Sequence, residues 1–253
     1  MREKQIGKSK KAKTIVWITA AVVLCSVIII GSLLFFGVIH LNNPDPDDYP
    51  VRGVDLSSYQ GTVDWDVLAA QNIRFAFIKA TEGSSFVDPR FSDNWAAAAR
   101  TGLRIGAYHF FSFESSGEKQ AELFCGTVGV VDNMLPPVVD VEYYGRFRSE
   151  KDIDAAAIKK ELRTLIDLLT AEYGMKPIIY ASSAAYKTIV RNDFDDCDLW
   201  FRSVYTRVPK GVDWTFWQYS NRHVLKGYNG KERYIDMNVF AGTVEEFENY
   251  PAR

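Results

Sequence analysis

From Thr14 to Ile39 the chain runs 26 residues without a charge, and 20 of them are apolar. As an α-helix this run is roughly 39 Å long, more than the ~30 Å hydrocarbon core of a bilayer. Core helices of soluble domains seldom reach this length without a polar face, so the pattern predicts a transmembrane helix over 14–39. The run is too long for the apolar region of a cleavable signal, and its end, Phe36-Gly37-Val38-Ile39-His40, has no small-x-small site. Leu24 is too bulky for a lipoprotein signal at Cys25. An uncleaved signal anchor is expected.

From Val51 onward the pattern changes to short alternations. Apolar runs of strand length occupy 51–56, 74–80, 104–111, 137–142, 177–181, 199–204, 215–219 and about 234–240. Helical stretches lie between several of them. The first, 64–71, opens on an Asp cap; 91–101 stops at Gly102; 117–126 follows; 153–173 is amphipathic and closed by Gly174. Strand and helix in alternation predict a parallel α/β sheet. Eight strands in about 200 residues predict an irregular (β/α) TIM-like barrel with a reduced helix set. Residues 40–50 hold three prolines and three aspartates and read as a stiffened linker reaching roughly 30 Å. The expected organisation is a basic segment 1–13, the anchor 14–39, the linker 40–50 and a catalytic domain 51–253.

Charge adds an orientation. The net charge of −2 hides six Lys/Arg against Glu3 in residues 1–13, which the positive-inside rule keeps in the cytoplasm with the large domain outside. Residues 51–253 are left at about −4 with no Lys/Arg run, which excludes nucleic acid as a partner. Cys125 and Cys197 are isolated and read as small buried apolar residues rather than a disulfide framework. Three His without an H-x-x-x-H pair predict neither a metal site nor a cofactor.

In barrels of this kind the chemistry sits at the C-terminal strand ends. Here those ends carry carboxylates: Asp55 on the first run, Asp140 and Glu142 on the fourth, and Asp236 on the last. Asp140 and Glu142 share one strand face, about 6.6 Å apart along the chain. That face is expected to be the interior, with Val139 and Val141 turned out toward helices. Like charges so close and partly desolvated push at least one pKa up. A carboxyl protonated near neutral pH is what a glycosidase uses on a leaving oxygen. An isolated strand-end Asp more commonly caps a helix, so the inference needs all of them at one mouth. Tyr108, Phe110, Phe113, Tyr143, Tyr144, Tyr180, Trp200, Trp217 and Tyr219 lie near the same strand ends, where aromatic rings either fill a core or stack on sugars.

Several blocks then read in sequence: Gly53-Val54-Asp55-Leu56-Ser57, Phe77-Ile78-Lys79-Ala80-Thr81-Glu82-Gly83, Gly106-Ala107-Tyr108-His109-Phe110, Pro136-Pro137-Val138-Val139-Asp140-Val141-Glu142, Trp217-Gln218-Tyr219-Ser220 and Ile235-Asp236-Met237-Asn238. Their order resembles the glycoside hydrolase family 25 muramidases, the Chalaropsis-type lysozymes. The resemblance implies a barrel that cleaves the β-1,4 bond between N-acetylmuramic acid and N-acetylglucosamine in the glycan strands of peptidoglycan. It implies Glu142 as general acid, with Asp55, Asp140 and Asp236 assisting. It also implies that Tyr108, His109 and Glu82 line or support the groove. Lys79, Tyr143, Tyr180, Trp200, Trp217 and Gln218 join them as expected substrate-side residues. Help from the substrate's own 2-acetamido group suits Asp140 or Asp236 as its orienting partner. One stretch departs from the family. After Trp200 a small residue and a nearby Tyr are usual, whereas Phe201-Arg202-Ser203-Val204-Tyr205 brings in a cation.

Other classes make different demands. A non-catalytic glycan-binding barrel in a cell-wall complex predicts a lost strand-end carboxylate, and none is lost. A metal-dependent phosphodiesterase barrel needs more His. A chitinase-like glycosidase needs further Asp upstream of the D-x-E block, where Leu135 and Val138 stand.

Overall fold

The computed structural model describes residues 2–40 and 42–251, with side chains from Lys13 onward; the basic side chains of 2–12 and the expected domain ends at 1 and 252–253 lie outside the described residues. The chain divides into two compact units, 1–41 and 42–253. In the first, α1 (Arg2–Phe35) takes in both the basic segment and most of the apolar run. Its portion Lys13–Phe35 has a mean hydropathy of 2.7 and is long and apolar enough to cross a membrane. The helix stops short of Ile39 because Gly37 adopts φ +63°. Gly37 N–H then donates to Leu34 O and Val38 N–H to Leu33 O, a closure that glycine allows without a Cβ clash.

The second unit runs β1 (Arg52–Leu56), α2 (Trp65–Ala69), β2 (Phe75–Glu82), β3 (Phe86–Val87), α3 (Phe91–Ala98), β4 (Arg104–Phe110), α4 (Gly117–Thr127), β5 (Val138–Val141), α5 (Ala155–Tyr173), β6 (Ile178–Ser182), α6 (Ser183–Ala185), β7 (Leu199–Arg202), β8 (Phe216–His223), β9 (Ile235–Phe240) and α7 (Val244–Glu248). Because β1 pairs with both β2 and β9, all the strands except β3 close into an eight-stranded barrel. β3 only extends the end of β2. The parallel expectation needs one correction: β9 is antiparallel to both β8 and β1. Residues 224–234 are too few for the helical crossover that a parallel return requires.

Strand alternation sorts the side chains into two cores. Phe75, Phe77, Val138, Ile178, Trp200, Phe216 and Phe240 fill the barrel interior. Val54, Ile78, Ile105, Val139, Val141 and Phe201 face outward, where Phe124 of α4 and Leu162, Leu165 and Leu169 of α5 cover them. The outward turn of Val139 and Val141 agrees with the sequence reading. Two glycines make room for the interior rings. A Cβ on Gly53 would stand 2.4 Å from the Phe75 ring, and one on Gly106 would stand 2.8 Å from Phe77.

Residues 42–50 do not form an extended spacer. Asn42 Nδ2 donates to Ser203 O at 2.7 Å and to Thr206 O at 2.8 Å. The Tyr49 ring lies 5.8 Å from Trp214 and 6.1 Å from Trp217, centroid to centroid. Among the described residues all three cysteines are free, and Cys125 and Cys197 are half-buried rather than buried.

Gly53→Ala is expected to lose about 1–3 kcal/mol by overpacking the interior. Gly102→Ala, whose Cβ meets nothing within 4 Å, should change little. Denaturant midpoints for the two variants check this, and equal midpoints would show that the ring packing around Gly53 is loose.

Candidate active site

The mouth of the barrel is built from inward positions two residues above the aromatic floor. Asp55 of β1 stands two residues past Gly53, Lys79 two past Phe77, Asp140 two past Val138, Arg202 two past Trp200 and Gln218 two past Phe216. The antiparallel β9 supplies Asp236 and Asn238 from its first turns of chain. Its register sets Asp236 opposite Asp55, and Asn238 opposite Gly53.

Amide groups hold two of the carboxyls together. Gln218 Nε2 donates to Asp55 at 2.9 and 3.1 Å and to Asp236 Oδ2 at 3.0 Å. Asn238 Nδ2 donates to Asp55 Oδ1 at 2.8 Å. Both amides are oriented from behind. Trp200 Nε1–H, which can only donate, bonds Asn238 Oδ1 at 2.8 Å, and the Tyr180 hydroxyl donates to Gln218 Oε1 at 3.0 Å. The donors therefore point at Asp55 whichever residue is protonated.

Burial sets the proton affinities. It pushes Asp55 up to about 6, against the pull of its Asn238 and Gln218 hydrogen bonds. Burial also holds Asp140 well above the carboxylate range, with the Glu142 charge adding to it. Asp236 is raised well above that range by burial and then by Asp55. Glu142, half-buried just past β5, is raised by burial and by Asp55, while Arg202 draws it down. Asp140 Oδ1 is buried and has no hydrogen-bond partner among the described residues. Tyr108 and Tyr180 remain phenols, raised first by burial and then by the surrounding carboxylates. The groups cannot all ionise together, so protons stay on the cluster near neutral pH.

Not every expected site residue reaches the mouth. His109 is fully buried on the outer face, since it follows the inward Tyr108 directly. Thr81 Oγ1 lies 2.7 Å from its Nδ1 and Gln120 Oε1 lies 3.0 Å from its Nε2. Burial lowers it to about 4, so it is a neutral tie between β2, β4 and α4. Trp217 also faces outward, donating from Nε1 to Ser203 O, so its expected sugar contact is corrected. Trp200 and Tyr180 face inward but are only 2% and 5% exposed, which leaves no ring face for a sugar. They form the floor. Lys79 pairs with Glu82 at 2.7 Å, and its Nζ lies 5.2 Å from the Phe110 ring centre. Tyr143, half-buried, carries a buried hydroxyl without a partner among the described residues. Sequence reading passed over Asn238 and Arg202 as site residues. Their spacing, two residues from Asp236 and from Trp200, was the available signal.

A closed barrel whose mouth gathers carboxyl groups of unequal proton affinity has the equipment of a glycoside hydrolase. Comparisons agree. The profile of "Glycosyl hydrolases family 25" matches residues 54–228. The uncharacterized protein YegX of Escherichia coli (strain K12) is 38% identical over 212 residues, covering 81% of this chain and 75% of that one. Lysozyme M1 of Streptomyces globisporus is 33% identical over 214 residues, covering 78% and 70%. The solved family 25 glycosyl hydrolase from Bacillus anthracis superposes with a TM-score of 0.77 at 50% identity, covering 84% of this chain and 98% of that one. The chain belongs to glycosyl hydrolase family 25. It is a glycoside hydrolase with lysozyme relatives.

The unpartnered Asp140 yields a signed expectation. Its folded-state pKa is raised, so its ionisation disfavours the fold as pH climbs through that raised value, and the penalty is absent below the ordinary carboxylate range. Asp140→Asn should therefore raise Tm at pH 7.5 and confer a smaller gain at pH 4. Thermal melts at the two pH values decide it; a pH-independent difference, or a loss at pH 7.5, would contradict the burial argument.

Proposed function

We propose that the chain is a peptidoglycan muramidase that hydrolyses the β-1,4 bond between N-acetylmuramic acid and N-acetylglucosamine, with Glu142 as general acid. The observation that carries this is the inward set Asp55, Asp140, Glu142 and Asp236 at one mouth, each held toward its protonated form by burial. Glu142 is the member nearest solvent along β5, where a bound glycosidic oxygen can reach it. Its carboxyl proton passes to the leaving oxygen as the bond from C1 breaks. The carbonyl oxygen of the substrate's 2-acetamido group bonds to C1 in the same step, and Asp140 or Asp236 orients the acetamido N–H. Water then attacks C1, the bond from C1 to the acetamido oxygen breaks and its electron pair returns to the amide, and the Glu142 carboxylate takes a proton from the water, restoring the acid. Gln218 and Asn238 keep Asp55 and Asp236 in place through the cycle.

We further propose that α1 anchors the enzyme as a single-pass signal anchor, N-terminus in the cytoplasm and barrel outside. The six cations before the apolar run support that orientation. Protease added to intact protoplasts should remove the barrel and spare the N-terminus. A soluble, shortened form in the medium would point to cleavage instead.

For the chemistry, purified peptidoglycan should yield new muramic-acid reducing ends. Glu142→Gln keeps the shape but removes the proton. Because general-acid catalysis contributes roughly 10²–10⁴-fold, it should lose at least about a hundredfold in kcat with glycan binding retained. Near wild-type turnover in this variant, or glucosamine ends from the wild type, would overturn the assignment.

A further inference from the structure

The mouth holds four acidic groups, yet the muramyl residue it is proposed to bind is itself anionic wherever its 3-O-lactyl group or attached peptide ends in a free carboxylate. Something must take that charge. Lys79 and Arg202 are strand-end cations at inward positions. Lys79 is already engaged, 2.7 Å from Glu82. Arg202 is not. Its place is fixed by register, opposite Ser182 on β6 and opposite Gln218 on β8, on the face of Trp200 and not of the outward Phe201. It is half-buried, and Tyr180, Glu142 and Asp236 lie within its electrostatic reach. Among the described residues, no carboxylate forms an ion pair with it and no acceptor takes a hydrogen bond from it.

The surrounding acids more than offset the cost of half-burying the Arg202 guanidinium, so the charge is kept at the mouth with its donors free, and its planar fork matches a carboxylate bidentately. Were Arg202 only a counter-charge for the acid cluster, direct contact with one of the acids would be the more stable arrangement. Instead it stands off from them at the rim.

We propose that Arg202 is a substrate-binding residue that receives a carboxylate carried by the muramyl substituent. The inference rests on the muramidase reading. The source of the carboxylate is either the lactyl group of peptide-free strands or the stem peptide of intact ones. In both cases Arg202 acts on binding, and the proton transfers remain with Glu142.

The test crosses the residue with the substrate charge. Wild type, Arg202→Ala and Arg202→Lys are compared on intact peptidoglycan, on strands stripped of peptide, and on stripped strands with methyl-esterified lactyl groups. Because Arg202 also lowers the proton affinity of Glu142, each variant is compared at its own pH optimum, where Arg202→Ala is expected to raise KM about tenfold or more on a carboxylate-bearing substrate and Arg202→Lys to recover part of it. A lactyl partner is indicated if esterification costs the wild type the same factor and costs Arg202→Ala nothing further. A peptide partner is indicated if the KM increase appears on intact strands alone. The proposal falls if Arg202→Ala leaves KM unchanged on both charged substrates, or only moves the pH profile of kcat. Failure of the wild type to release muramic-acid ends from any substrate would instead overturn the muramidase reading, and this one with it.

Discussion

The site depends on how the barrel closes. β1 is hydrogen-bonded on both edges, parallel to β2 and antiparallel to β9, and the second register sets Asp55 directly opposite Asp236. Two carboxyl groups facing each other across neighbouring strands repel when both ionise. The arrangement persists because Gln218 lies alongside and its amide donates to both. Closing the barrel with a strand of opposite direction has a second effect. The first residues of β9, rather than its last, sit at the mouth where the parallel strands end, so Asp236 and Asn238 join Asp55 and Gln218 there.

The proton affinities follow from unequal solvation on a common apolar floor. Phe77 and Trp200 pack in the barrel interior with centroids 4.5 Å apart, and burial is the largest cause raising all four carboxyls. What differs is the donors. Asp55 accepts from two amides, which offset part of its burial, whereas Asp140 Oδ1 accepts none among the described residues. Arg202 draws down Asp140, Asp236 and Glu142 without touching them. A cleft that must hold one carboxyl protonated beside others that ionise needs such a gradient, and here burial sets it, with the amides on Asp55 and the Arg202 charge pulling against it.

Much of this was legible in the chain. Alternation alone assigns Asp140 and Glu142 inward and Val139 and Val141 outward, and the amphipathic 153–173 stretch forms α5 over Ala155–Tyr173. The same rule, applied strictly, also separates Tyr108 from His109 and Gln218 from Trp217, because consecutive strand residues cannot share a face. Treating each motif block as a unit hides that division, and it is why His109 and Trp217 were expected at the groove. The antiparallel return of β9 was readable from the short 224–234 connection. The amide relay was not. It requires Trp200, Asn238 and Asp55 to meet from three strands, and no local spacing encodes a contact of 183 residues' separation.

Nor does local pattern reveal how a barrel with so few helices keeps its far side dry. The connections after β7 and β8 contain no helix, yet Trp217 and Tyr219 project outward there and are only 2% and 1% exposed. The segment before β1 supplies part of the missing cover. Tyr49 packs edge-on against Trp217, and Asn42 bonds carbonyls of the helix-free 203–206 connection. The proline- and aspartate-rich composition that suggested a spacer thus serves a different purpose: its turn at Asp45–Tyr49 brings the Tyr49 ring back onto the sheet. These residues belong to the compact unit that begins at Asn42. Apolar area left uncovered by a missing helix has to be buried by some other segment, and here the chain entering the barrel does it.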